Sequence, residues 1–481
     1  MAPEIESLAT KEVKKPKKYA LPGQLASLRS GQASWKFWVS FWVVSGILLF
    51  GWYIFLQIQN KNIQNLKPFA KILPISSERK NELQVLTDIY EKMGGFNKEK
   101  TFLILFQNDM ELRPGGGFIG SFGIVKTKAG KISDFQMHDT GNFDGRIPDT
   151  ETPPYPMGEM LYIKSWKLRD SNWSPDFQAN AKKAEYFYKL GEGQENFDGV
   201  IAVNTDVLNS ILGITGPVKI NDYPGEYNDQ TAILQLEYQV EKGFVEQGIE
   251  KGERKEIMKE LAAVLIEKVH GFTIGEQLEL AKKIEDHLKR KDIQFFFKDE
   301  DLQAEVESMG WGGRVREYSG DYLMAVDANL NSLKSDVCIR RKMEYSVDLA
   351  TDVPQANLKI SYDHTCRTID WMTANYNDWL RVYVPAGSFL TDSSNAASDA
   401  LFSEDLGKKV FAMKVFVPVG QSKTVELKYN LPERAKNGVY SLLVQKQSGV
   451  TELPVKISIK KADGSLEEKE EVLKEDKVFS F

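Results

Sequence analysis

Residues 37–58, FWVSFWVVSGILLFGWYIFLQI, run for 22 positions without a charged side chain, and no other stretch restricts the chain as strongly. At 1.5 Å rise per residue a helix of that length reaches ~33 Å, enough to cross a hydrocarbon core of ~30 Å. Trp35, Trp38, Trp42, Trp52 and Tyr53 crowd its two ends, where amphipathic rings favour the membrane interface. Buried core helices rarely stay uncharged for so long. A cleaved signal peptide has a shorter apolar stretch, ~7–15 residues, followed by small residues, which Gln57-Ile58-Gln59-Asn60 does not supply. The expectation is an uncleaved transmembrane helix. Residues 1–36 hold seven Lys/Arg and three Glu, a net of +4, so against the chain's total of −6 the rest carries −10. The positive-inside rule then places 1–36 in the cytoplasm as a basic arm and the bulk of the chain outside, on a single-pass cell-membrane protein. An acidic body is a poor electrostatic match for nucleic acid, and no such partner is expected.

Composition is that of a folded chain, 42% hydrophobic and 27% charged over 481 residues, which excludes collagenous and wholly disordered classes. After a polar, helix-like connector (59–97), with Leu83, Leu86, Ile89, Tyr90 and Met93 on one face, the period changes. TFLILF (101–106) reads as a strand buried on both faces, followed by strands at 118–126, 131–137 and 199–204. Helical spacing marks 178–190, 232–245, 253–269 and 274–290. Strands mixed with helices on this scale predict an α/β fold, a three-layer domain over 98–335. From 336 to 460 strand follows strand with turn residues between, which predicts an all-β sandwich of about seven strands. The charged end, 461–481, reads as a solvated tail or strand end.

Four histidines (His138, His270, His287, His364) lie far apart with no paired spacing, so no histidine-rich zinc site is expected. Cys338 and Cys366, 28 residues apart, are a disulfide candidate in an oxidising compartment. Two separate buried thiols remain the alternative, since spacing alone does not bring two Cα atoms together. Two polar clusters carry the candidate chemistry. In QNDMELRPGGG (107–117), between two buried strands, Arg113 can fork onto a carboxylate or phosphate. Asn108 is a candidate ligand contact there, and Gly115, Gly116 and Gly117 let backbone N–H groups approach an anion. The bland reading is a tight glycine hairpin with Arg113 paired to Asp109 or Glu111. In KLRDSNWSPDF (167–177), Arg169, Asp170, Asn172 and Asp176 suit Mg²⁺ with a phosphate, while Ser174 or Asp176 could instead cap the next helix. Asp139, Asp144 and Arg146 form a looser group that reads as solvated loop charge.

NDMELRPGGGFIGSFGIV, RDSNWSPDF, QFFFKDEDLQAEVESMGW and YSLLVQKQSG together resemble the bacterial family called domain of unknown function 4012. That resemblance implies an anchor, an α/β domain and a β-rich tail, and no activity. More distantly, the order of elements through FDGVIAVNTDVLNSILGITGPVKI is similar to the LytR-CpsA-Psr family. Those singly anchored proteins transfer polyprenyl-diphosphate-linked glycopolymers to the cell wall, with arginines on the diphosphate and aspartates on Mg²⁺. The resemblance implies Arg113 as the loop arginine, with Arg169 and Asp170 as pocket partners; joined to the reading of the residues, it makes Arg113, Arg169 and Asp170 the candidate catalytic set and Asp109, Asp170 and Asp176 the candidate Mg²⁺ ligands. Pro-Gly-Gly-Gly-Phe follows Arg113 where that family has an aspartate, so Asp109 or Asp170 would have to replace it. The expected function is a membrane-anchored extracytoplasmic, transferase-like protein that binds a lipid-linked diphosphate or cell-wall glycan. The alternative is a non-catalytic envelope protein that binds through its β-sandwich.

Overall fold

The computed structural model describes residues 76–481 apart from Asn437. The expected basic arm, the transmembrane run 37–58 and residues 59–75 of the connector lie outside the described residues. Among the described residues no helix is long and apolar enough to cross a membrane.

Ser76 opens α1 (Ser77–Met93) by accepting the Arg79 N–H at 3.2 Å, a side-chain N-cap. Val85, Leu86, Ile89 and Met93 then share a face that packs on Phe102, Ile104 and Phe106. This helix is therefore a layer of the α/β domain and not a separate connector. The sheet it covers has the order β3-β2-β1-β4-β5, from β1 (Lys100–Asn108), β2 (Phe118–Lys128), β3 (Lys131–Asp139), β4 (Gly199–Asn204) and β5 (Ile293–Phe297). β1 and β4 run parallel, and the other neighbours are antiparallel. β5 is five buried residues between helices, too short for periodicity to signal.

Alternation along the strands builds two cores. Leu103, Leu105, Phe122 and Ile124 meet Ala181, Ala184 and Phe187 of α2 (Phe177–Leu190). Phe102, Ile104, Ile201 and Val203 face the opposite layer: α3 (Asp206–Thr215), α4 (Ala232–Tyr238), α5 (Glu256–His270) and α6 (Ile274–Arg290), with α7 (Glu300–Ser308) at its margin. Three layers result. The helix expected over 232–245 is interrupted by a π-turn at Gln239–Gly243. The Gln239 amide folds back so closely that a Cβ on Gly243 would lie 2.6 Å from its Oε1, and it exchanges hydrogen bonds with Gln247 at 2.7 and 3.1 Å.

The C-terminal region is a two-sheet β structure that begins earlier and ends later than expected. β6 (Asp321–Val326) already belongs to it, ahead of the expected start at 336. One sheet holds β10 (Phe389–Ser394), β13 (Ser422–Asn430), β8 (Gln355–His364), β7 (Ile339–Asp348), β15 (Leu453–Lys460) and β16 (Leu466–Leu473), in that order. The other holds β11 (Leu401–Asp405), β12 (Lys408–Val417), β9 (Tyr376–Pro385), β6, β14 (Ser441–Val444) and β17 (Lys477–Ser480). Residues 461–481 are thus two edge strands and not a solvated tail. β16 pairs with β15 along its whole length. Its glutamates meet Lys456 at 3.3 and 3.4 Å, the charged surface by which an edge strand resists further pairing.

Cys338 and Cys366 form a disulfide, with Cα atoms 5.5 Å apart, joining the start of β7 to the loop after β8. Closing a 28-residue loop stabilises by roughly 3–4 kcal/mol on loop-closure grounds. Cys338→Ser/Cys366→Ser is expected to lose about that much stability, read as a lower urea midpoint for near-UV circular dichroism. An unchanged midpoint would assign the bridge no structural role.

Candidate functional site

The two motif loops come together, but on each other. Arg113 is 1% exposed. Its Nε donates to Asp170 Oδ1 at 2.9 Å, one terminal nitrogen to Glu111 Oε1 at 2.9 Å and the other to the Asn329 carbonyl at 2.6 Å. Phe118 stacks beneath it, 5.4 Å from the guanidinium carbon. Asn329 follows β6, so this arginine ties the α/β domain to the sandwich. Gln447 completes the tie by donating to the Arg113 and Asp327 carbonyls at 3.1 and 2.8 Å. Asn172 spends its amide on Gln107 and the Gly117 carbonyl, both at 2.6 Å.

The glycine run is packed and does not form an open cradle. A Cβ on Gly115 would sit 2.3 Å from Asn180 Nδ2, and one on Gly117 would sit 2.4 Å from the Asn108 backbone. At Gly116, whose φ is +136°, it would meet Ser448 at 2.9 Å. Arg169 pairs with the buried carboxylate of Asp144. Asp176 caps α2 and holds Arg314 Nε at 2.7 Å, its bland role. Asp109 lies elsewhere, hydrogen-bonded to the Thr205 hydroxyl. The expected Mg²⁺ ligands Asp109, Asp170 and Asp176 therefore serve three different partners. Among the described residues no group of three or more His, Cys, Asp or Glu side chains could hold a metal ion. The donor set does not fit the implied cation, because Asp170 and Asp176 are committed to arginines and Asp109, bonded to the Thr205 hydroxyl, lies apart from both.

Open space lies beside this seam, where β1, β3 and β4 end and β2 begins, the end of a sheet at which α/β domains place ligands. A cavity of about 280 Å³ is walled by Phe106, Phe118, Val203, Leu208, Ile233, Leu236, Val240 and Met258. Asn108 lines it too, donating to Glu237 at 2.8 Å. Its charges are matched: Lys334 faces Glu237 and Glu241 at 3.2 and 3.6 Å, and Arg254 faces Glu241 at 3.3 Å. Burial raises the Glu237 carboxyl above the ordinary range.

A second cavity of about 290 Å³ adjoins it, lined by His138, Asp139, Asn142, Arg146, Glu256 and Lys259. Ser121 and Lys255 line both cavities. Lys255 pairs with Asp139 and donates to the Gly120 carbonyl, and burial lowers its pKa. Arg146 lies over Phe143 at 4.9 Å. His138 stacks on Phe122 at 4.9 Å with its Nε2 unpartnered. Burial, then Arg146, then Lys259 hold its pKa below the usual value. Lys259 pairs with Glu256 as Lys255 does with Asp139, so three cationic side chains and two carboxylates line this space.

A third cleft, about 560 Å³, opens between the two domains and shares Thr205 and Ile233 with the apolar cavity. Asp109 lines it, its carboxyl pushed up to about 8 by burial and by Asp206. A Ser–His–Asp chain also exists, with His287 2.8 Å from Ser210 Oγ and 2.7 Å from Asp292. It lines none of these three spaces. Arg290 lies 2.6 Å from Asp292, and the chain fastens α3 to α6.

Sequence reasoning thus selected the residues of the seam, passed over His138 as a lone histidine and over Asp139, Asp144 and Arg146 as solvated loop charge, although Asp144 is buried, and missed Lys255 and Lys259. The available signal was Lys255 and Lys259 at i,i+4 beside a helix start, pointing the same way.

Fold and site define a two-part chain, an α/β domain with a ligand-sized cavity at its sheet end, locked by its loops to a β-sandwich. Residues 97–240 match the family described as "Protein of unknown function (DUF4012)", and that segment, from before β1 to the π-turn, is a DUF4012 domain. No curated protein matches the chain. Two solved structures are similar in part. One is a candidate nutrient-binding protein of Legionella pneumophila, 9% identical with a TM-score of 0.21, covering 29% of this chain and 54% of its own. The other is the Lin1025 protein of Listeria innocua, 13% identical with a TM-score of 0.25, covering 49% and 87%. At those scores neither likeness bears on this chain's fold or activity.

Arg113→Ala strips a buried guanidinium from two carboxylates, and breaking such a pair costs about 3–5 kcal/mol. A loss of that size in urea unfolding, not rescued by Arg113→Lys, is expected; a stable variant would return Arg113 to the candidate ligand contacts. Asp109 keeps its proton to about pH 8 when folded and releases it near pH 4 when unfolded. Its contribution to stability is therefore full below pH 4 and lost as pH rises toward 8. Asp109→Asn should melt with a smaller fall in Tm between pH 5 and pH 8 than the unsubstituted protein; parallel curves would refute the raised carboxyl.

Proposed function

We propose that this protein is a single-span, extracytoplasmic membrane protein that binds a lipid-linked phosphate or diphosphate of cell-envelope assembly at the sheet end. The observation that carries the reading is the junction at Lys255 of an apolar cavity and a cationic one. An isoprenoid segment fits among Phe106, Val203, Leu236 and Met258. The anionic group then meets Arg146, together with Lys255 and Lys259, which it would share with Asp139 and Glu256, and charge-assisted contacts of this kind are the strong ones. The 22-residue apolar run and the Cys338–Cys366 bridge both favour an anchored protein on the oxidising side. The resemblance to the LytR-CpsA-Psr family supports the same ligand class. It does not extend to transfer chemistry here, because Arg113, Asp170 and Asp176 are occupied in holding the fold. The reading is therefore binding, with the sandwich serving to brace the α/β domain.

The test uses the full chain in lipid nanodiscs. Geranylgeranyl diphosphate is expected to raise the Tm by several degrees, and geranylgeraniol or pyrophosphate alone by much less. Arg146→Ala/Lys259→Ala should weaken the diphosphate at least tenfold, about 1.4 kcal/mol. Equal shifts with alcohol and diphosphate, or an unaffected double variant, would sink the proposal.

A further inference from the structure

The helical segment that walls the apolar cavity turns a second face to solvent. Leu234 and Tyr238 fall at i and i+4 on α4, Val245 follows the π-turn, and all three are exposed, Val245 by 67%. Across the domain seam the loop fastened by Cys366 exposes Ile369 by 63% and Trp371 by 36%. Tyr238 and Trp371 touch edge to face, with ring centroids 5.8 Å apart. Lys334, whose Nζ faces Glu237 inside the cavity, donates its backbone N–H to the Met372 carbonyl at 2.8 Å. The neighbouring Leu333 is exposed and bridges Thr373. Leu234, Tyr238 and Leu333 are thus chain neighbours of the cavity-lining Ile233, Glu237 and Lys334, so apolar side chains of both domains stand next to the cavity wall. Scattered exposed apolar residues mean nothing, but a contiguous group drawn from two domains beside a pocket marks a contact surface.

The cavity's size indicates what that surface meets. Its 280 Å³ lies at the small end of ligand pockets, which run ~300–1,000 Å³, and is too small for the whole of a long polyprenyl chain. The rest of a long polyprenyl chain must lie elsewhere, and leaving it in water is opposed in proportion to the apolar area exposed. Seventeen residues separate Ile58 from Ser76, at most ~60 Å of chain, so on the anchored reading proposed above the body stays near a bilayer without a set orientation. Tryptophan and tyrosine are the side chains that favour a bilayer interface.

We infer that the rim formed by Leu234, Tyr238, Val245, Leu333, Ile369 and Trp371 rests on the bilayer surface. The cavity then takes only the phosphate-proximal end of a long-chain lipid whose tail stays in the membrane. This rests on the lipid-phosphate reading above. The occupant is the lipid surface and not a protein, because the rim lies alongside an apolar cavity on a chain that the same reading tethers to a membrane.

Two measurements on the full chain in liposomes test it. A photo-crosslinking substitution, Trp371→p-benzoylphenylalanine or Val245→p-benzoylphenylalanine, is expected to yield lipid adducts at least fivefold above Phe402→p-benzoylphenylalanine. Phe402 is exposed on the edge strand β11 and serves as the control. Equal yields at the three positions, or none at 371 and 245, would overturn the inference. Val245→Glu/Ile369→Glu should leave affinity for soluble geranyl diphosphate within twofold while cutting capture of undecaprenyl diphosphate from vesicles at least tenfold. If vesicle capture is unchanged, the rim has no such role. If geranyl diphosphate does not bind the unsubstituted protein, the lipid-phosphate reading fails, and the crosslinking pattern still decides whether the rim meets a bilayer.

Discussion

The guanidinium of Arg113 is the point on which the two halves of this protein turn. Buried among Asp170, Glu111 and the Asn329 carbonyl, it draws the loop after β1, the loop before α2 and the segment after β6 into one junction. An uncompensated charge in such a place is costly, so the three segments hold or fail together. Other ties follow the same line. Leu112 donates its N–H to Asp336 at 3.0 Å, and Arg381 donates to the Trp173 carbonyl at 2.7 Å. Lys291 reaches the Lys446 carbonyl at 2.6 Å. Polar loops packed at this density leave no room for a ligand around Arg113 itself, and the open space lies on the flank of the seam and in the interdomain cleft beside Leu112 and Asp336.

That flank is the sheet end where the parallel pair β1 and β4 stops. Backbone pairing ends there, and α4, α5 and the π-turn arch over the gap without filling it. Apolar strand residues continue to its floor, while the ends of β2 and β3 bring Ser121, His138 and Asp139 to one side. Helix α5 starts against them, so Lys255 stands at the boundary between the apolar and cationic spaces. An amphipathic cavity arises because two core-facing layers terminate beside a charged helix start.

The long motifs that stand out in the sequence prove to be seam residues. Arg113, Asn172, Gly115 and Gly117 are tightly specified because each contacts another chain segment at near-minimal distance, a packing requirement that resembles a binding signature when read in one dimension. Lys255, Lys259, His138 and Arg146 carry no such mark. They come from β3, the loop after it and the start of α5, 138 and 259 being more than a hundred residues apart, and each charge looks like ordinary surface charge. The π-turn was equally hidden, since the apolar spacing of 232–245 continues through it and the contacts of Gln239 with Gly243 and Gln247 are side-chain contacts that periodicity does not register.

The sequence by itself determined the alternation and period that separate an α/β region from a strand-rich one. It also marked the strands 101–106, 118–126, 131–137 and 199–204, because side-chain burial on a regular element repeats locally. Tertiary structure alone decided that Cys338 meets Cys366, that β6 and the acidic terminal strands join the sandwich, and that Arg113 is a fastening. Each of these depends on contacts between residues distant along the chain, and a periodicity confined to neighbours holds no record of which distant partner a charge or a thiol will meet.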